Sequence, residues 1–209
     1  MHPNPVFRGT DAEHSLALSR ARSFGTLAVN GAATPLLAHI PFLLSDCATH
    51  AGLHLVRSNP IARRLKDGPL DATLSVMGPD SYISPDWYEA ADQVPTWNYV
   101  SVAFTGQIEL MPDEALHSLL AFQSAHFENQ LLPKTPWTSE KMSEGIMEKM
   151  MRAIVPIRFA ITDMQSTWKL GQNKPEHVRT AAAKHVAQHG LGSGTSTLAD
   201  WMQTPPSSR

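Results

Sequence analysis

The 209-residue chain holds a single cysteine, Cys47. One thiol excludes a disulfide framework and every zinc site built on clustered cysteines. Neither sign of charge is in excess: 17 Lys and Arg stand against 19 Asp and Glu, a net charge of −2. Proteins that coat DNA or an acidic membrane carry a broad basic footprint, so that class is set aside, while a local basic pocket is not. Long apolar runs are missing too. The longest stretch without Asp, Glu, Lys or Arg, Ser23 to Ser45, contains Asn30-Gly31, Pro35, His39 and Pro41, poor company in hydrocarbon. The opening Met1-His2-Pro3-Asn4-Pro5 has no basic region followed by an apolar one, so no signal peptide is expected and the cytoplasm is the default location. There is no Walker A motif, no Gly-x-Gly-x-x-Gly, no Gly-x-Ser-x-Gly and no His-Glu-x-x-His. What is present is a globular composition, 42% hydrophobic and 17% charged, which must cohere by core packing.

Periodicity and turn chemistry place the elements. Thr10-Asp11-Ala12-Glu13 reads as a capping box, opening a helix over about 11–22. Phe24 to Val29 is strand-like, Asn30-Gly31 is a two-residue hairpin signal, and Thr34 to Leu44 returns as a strand interrupted by Pro35 and Pro41. Leu53 to Val56 and Ala72 to Met77 are further strands. Between them Asn59-Pro60 starts a helix, with Pro60 suited to its first turn. Tyr82-Ile83-Ser84 reads as a short extended piece. Tyr99 to Met111 gives the longest alternation, followed by a helix from Pro112 to Asn129 with acids at its start. Helices are expected at 139–150 and 175–189, a strand at 154–161 and a short last helix at 198–202. Early strands joined by short turns, with helices later, predict an antiparallel barrel or sheet with attached helices: an α+β, mainly β architecture. One domain is expected over 1–189, with Gly190 to Gly194 as a linker to a C-terminal helix and tail (190–209).

Three stretches could carry chemistry. In Leu53 to Arg64 a strand ends, Ser58 and Asn59 follow, a helix begins, and Arg57, Arg63 and Arg64 sit close by. Free N–H groups at a helix start and bidentate arginines suit a phosphate. An ordinary cap with solvated basic residues is the plainer account. Gly78 to Tyr88 reads as a loop whose Tyr82, Trp87 and Tyr88 either wall a flat ring or plug a core edge. Val94 to Tyr99 either hydrogen-bonds a heterocycle or builds a corner. Among the ten histidines, His50 and His54 are four apart, as are His185 and His189 with His177 near them; no His-Glu-x-x-His acid accompanies them, and surface histidines on an Ala/Lys helix are a simpler account than metal ligands. Cys47 has no local activating pattern, and no catalytic acid or base stands out beyond His39, for which a structural role is the simpler account.

Taken in order, Ala38-His39-Ile40-Pro41-Phe42, His54 to Pro60, Gly78-Pro79 with Tyr82 to Pro85 and Trp87-Tyr88, Val94 to Tyr99, and Lys169-Leu170-Gly171-Gln172-Asn173 resemble the PaiB-type family of FMN-binding negative transcriptional regulators. The resemblance runs from about Pro5 to His189. Val56, Ser58 and Gly171 depart from the residues usual there. It implies an FMN-binding split β-barrel, a six-stranded antiparallel Greek-key barrel with flanking helices, forming a homodimer with flavin at the subunit interface. It also implies FMN phosphate near Arg57, Ser58, Asn59 and Arg63, and His39, Ile40 and Pro41 along the ring. Tyr82, Ser84, Trp97 and Asn98 would line the pocket, and Lys169, Gln172 and Asn173 would reach in from the partner. A regulator acting indirectly or through flavin redox state is expected, with direct DNA binding unsupported by any helix-turn-helix. The alternatives are an FMN-dependent, flavin reductase-like oxidoreductase using NAD(P)H and a haem-binding split barrel.

Overall fold

A computed structural model describes residues 2–207. Six strands close into a barrel in the order β1-β2-β3-β6-β5-β4. They are β1 (Phe24–Val29), β2 (Leu36–Leu44), β3 (His50–Val56), β4 (Leu70–Ile83), β5 (Thr96–Leu110) and β6 (Ile154–Lys169). The helices are α1 (Ala12–Arg22), α2 (Pro60–Arg64), α3 (Ala115–Asn129), α4 (Ile146–Met151), α5 (Glu176–His189) and α6 (Thr195–Gln203). No helix among the described residues is long and apolar enough to cross a membrane.

The chain forms two compact units. One comprises Ser23–Ser75 and Phe104–Asp163; the other comprises Met1–Arg22, Val76–Ala103 and Met164–Arg209. In the first, side chains alternate between core and surface with the period of two that strands impose. Leu27 and Val29, Ile40 and Phe42, Leu53 and Leu55, Phe104, and Ile157 and Phe159 are all buried. Gly106 lies where β5 crosses close to β6: a Cβ there would stand 1.9 Å from the Ala160 carbonyl oxygen, so no other residue fits. The second unit gathers Tyr88, Trp168, Leu170, Val178, Ala182, Val186, Leu198 and Met202 into one buried cluster. Trp168 donates its indole N–H to Ser15 Oγ at 3.0 Å, which satisfies a polar atom the core would otherwise strand.

Several sequence expectations are corrected. Asn30-Gly31 is not a two-residue turn: the connection runs from residue 30 to 35, and Gly31 lacks the positive φ a type I′ turn needs. Gly78 to Ser81 is not a loop but part of β4, which continues through the expected extended residues Tyr82 and Ile83. Its Asp80 and Tyr82 N–H groups donate to the carbonyls of Ser193 and Leu191, both at 2.9 Å. The Gly-rich stretch after α5 is thereby held along β4, and α6 behind it buries Leu198, Ala199 and Met202. The helix expected over 139–150 is broken at Gly145, whose φ of 73° cannot continue a right-handed helix. β6 runs eight residues past its expected end at Ile161, to Lys169.

Candidate functional site: a seam beside β2

β2 is shared unequally between its neighbours. Leu36 to Pro41 pair with β1, whereas only Phe42, Leu43 and Leu44 pair with β3. Among the described residues the β2–β3 ladder therefore ends at Phe42, and a seam opens beside residues 36–41. Backbone alternation determines what faces it. Phe42 N–H donates to Ser23 and Ser45 N–H donates to His50. The backbone groups of Phe42 and Ile40 therefore turn toward β1, and those of His39 and Pro41 turn toward the seam. Pro41 sits where its missing N–H removes no ladder bond. Ile40 buries its side chain, while His39 is exposed with Nδ1 3.0 Å from Thr26 Oγ1.

The turn after β3 separates the residues expected to bind phosphate into engaged and unengaged ones. Asn59 Oδ1 accepts from Ile61 N–H at 2.9 Å, and Pro60 follows at the first helical position, so Asn59 is the cap of α2. Arg57 donates Nε–H to the Arg152 carbonyl at 2.9 Å, and its Nη2 stands 3.1 Å from both oxygens of Asp113. Arg64 donates to the Asn30 carbonyl. Ser58 and Arg63 are exposed, and their side chains hold no hydrogen bond or ion pair among the described residues. One free hydroxyl just before α2 and one free guanidinium within it are the kind of donors that fit one phosphate. Arg57 joins them only by exchanging Asp113.

The remaining expected residues lie in the other unit. Tyr82 and Trp97 form an edge-to-face pair, 6.4 Å between centroids at 70°, with Trp97 46% exposed. Ser84 precedes a single turn, Pro85–Tyr88, and its carbonyl accepts from Trp87 N–H. Asn98 is buried with Nδ2 3.5 Å from Met202 Sδ. Lys169 donates to Thr96 Oγ1 at 2.6 Å; burial first and the Lys174 charge second hold its pKa below the usual lysine range. Gln172 is engaged within its own chain. Its Oε1 accepts from Leu170 N–H at 2.8 Å, and its Nε2 donates to the carbonyls of Trp168 and Val6. That amide locks its own turn. Asn173 is exposed, and it lines a small cavity together with Asn98 and Lys169.

One polar residue enters the sequence reading only within a motif, with no role assigned to it. His54 on β3 has Nδ1 3.0 Å from Gln123 Oε1 on α3, and burial holds its pKa below the ordinary value. Its folded state thus prefers the neutral ring, and the unfolded chain binds the extra proton near pH 6.5. The linked stability is present above that pH and is lost as the pH falls toward the depressed folded pKa. Chemical denaturation at pH 5 and pH 7.5 is expected to show a larger loss on acidification for the wild type than for His54→Gln, where equal losses would remove His54 from the account.

A closed six-stranded antiparallel barrel with flanking helices is the fold of the flavin-binding split barrels. Two solved structures share it. The FAD and haem binding protein from Mycobacterium smegmatis superposes with a TM-score of 0.58 at 17% identity, over 89% of this chain and 82% of that one. The flavocytochrome Anf3 from Azotobacter vinelandii gives 0.55 at 15% identity, over 82% and 73%. In sequence, residues 1–163 match the family described as "Putative FMN-binding domain", and the chain belongs to that family. A curated relative, "Protease synthase and sporulation protein PAI 2" of Bacillus subtilis (strain 168), is 28% identical over 178 residues, 84% of each chain.

Proposed function

We propose that this chain binds FMN and acts as a homodimeric negative transcriptional regulator of the PaiB type, with the flavin at the subunit interface. The observation that carries the cofactor reading is the unengaged pair Ser58 and Arg63, at a turn next to a strand whose His39 and Pro41 backbone groups face an open seam. A single oxyanion seat suits FMN, which carries one phosphate. The seam backbone suits the polar edge of a heterocycle, and His39 to Pro41 run along the ring. When bound, the flavin supplies redox chemistry; the chain supplies binding and polarity.

Regulation is read from the relative named for protease synthesis and sporulation. With a net charge of −2, the route is indirect, through the flavin or a partner, because a direct DNA-binding face needs a basic stripe. Titration of FMN with the purified protein is expected to quench flavin fluorescence and leave the protein yellow. No affinity at concentrations of about tens of micromolar, a range far weaker than that of a resident cofactor, defeats the cofactor reading. A gel shift at moderate salt is expected to show no tight sequence-specific complex, and finding one defeats the indirect route. Sustained NAD(P)H oxidation by the loaded protein would instead make it an oxidoreductase, and a haem absorbance band would make it a haem protein.

A further inference from the structure

Two cations share one small cavity with no opposite charge. The cavity, about 170 Å³, lies within the unit built on α5 and α6. Its walls include Tyr88, Thr96, Asn98, Lys169, Gly171 and Lys174, and no Asp or Glu lines it. Lys169 Nζ donates to Thr96 Oγ1 at 2.6 Å. Lys174 Nζ donates to Gln93 Oε1 at 2.5 Å and sits 4.3 Å over the centre of the Tyr88 ring. Neither ammonium has a carboxylate partner among the described residues. Each carries three N–H donors and each anchor is a neutral oxygen, so donors are left over at both. Two like charges in a partly desolvated space repel, and the lowered pKa of Lys169 has Lys174 as its second cause.

Ammonium donors in excess and no carboxylate together lack one thing, an oxyanion. We propose that this cavity binds the carboxylate or phosphate head of a small metabolite, held by Lys169 and Lys174. At about 170 Å³ it falls short of the ~300 Å³ and more that encloses a whole drug-sized ligand, so it takes a head group and not a whole flavin. The proposal stands on this unit alone and does not depend on flavin binding.

Calorimetric titration of the flavin-free full-length protein with inorganic phosphate, and separately with acetate, tests it. The wild type is expected to bind at least one probe saturably. Lys174→Met should weaken that binding about tenfold or more, the loss of a charge-assisted bond, with Lys169→Met acting in the same direction. Lys174→Gln serves if the Met variant folds poorly. Repeated with FMN at saturation, probe affinity should be unchanged, and Lys174→Met should leave FMN affinity as it was. Wild type and Lys174→Met binding both probes equally poorly overturns the proposal. So does displacement of the probe by FMN, which would make the cavity the seat of the flavin phosphate.

Discussion

Trp168→Ala is expected to cost about 3–5 kcal/mol of stability, the range for removing a large aromatic from a packed core. The side chain is 1% exposed and lies in the cluster that α5 and α6 build with the end of β6. It packs on Trp201 with ring centroids 4.9 Å apart. Its loss opens a void that flanking residues fill only in part, and it also strips the indole donor from Ser15 Oγ, whose residue is fully buried. Trp168→Phe separates the two effects, because most of the packing stays while the Ser15 hydroxyl loses its donor; about 1–3 kcal/mol is expected. Urea denaturation followed by far-ultraviolet circular dichroism should rank wild type above Trp168→Phe above Trp168→Ala. A Trp168→Ala variant within about 1 kcal/mol of wild type, the ordinary effect of an unremarkable substitution, would mean that the cluster is not the core of its unit.

Trp168 also lies where the strand pattern ceases to be legible in the sequence. The barrel strands that bury one face of alternating apolar residues, Phe24 to Val29 and Tyr99 to Leu110, are legible because period two leaves a pattern. The last third of β6 is not. Thr162, Asp163 and Gln165 are exposed and polar, so the alternation fades before Thr167 and Trp168 turn inward again. Gly78 and Pro79 look like a turn locally, yet backbone donors two residues apart pair with residues 191 and 193, more than a hundred positions away. No local signal carries that contact. The long Asn30 to Pro35 connection is the opposite case, a strong local signal overridden by its surroundings.

At the candidate site, the spacing of Arg57, Ser58, Asn59 and Arg63 marks one turn but cannot assign roles within it. Asn59 has the sequence of a cap and acts as one. Arg57 is drawn off by Asp113 and the Arg152 carbonyl, residues 56 and 95 positions distant. Gln172 similarly belongs to a motif that resembles a cofactor contact, and its amide instead holds residues 168, 170 and 6 together. Which polar group is already occupied is a property of tertiary structure, and it changes the mutational prediction.

Arg63→Ala is therefore expected to weaken FMN binding more than Arg57→Ala does. A charge-assisted hydrogen bond to phosphate is worth about 1.5–3 kcal/mol, which corresponds to a roughly 10- to 150-fold rise in Kd. Riboflavin, lacking the phosphate, should bind wild type and Arg63→Ala alike. Ser58→Ala removes a neutral donor and should cost FMN about two- to tenfold, again without touching riboflavin. Arg57 must first surrender Asp113 to meet a phosphate, so Arg57→Ala should change FMN affinity little. Its stability cost is that of an exposed ion pair, about 0–1 kcal/mol. Asp113→Asn is the converse: it releases the Arg57 guanidinium, and FMN should bind more tightly while riboflavin stays unchanged. Added salt should weaken FMN relative to riboflavin in the wild type, and this difference should shrink in Arg63→Ala, because the screened attraction is then largely gone. Equal losses for FMN and riboflavin in Arg63→Ala would remove the phosphate from this turn. A larger FMN loss in Arg57→Ala than in Arg63→Ala would mean that the Asp113 pair opens on binding and that Arg57 is the phosphate's principal partner.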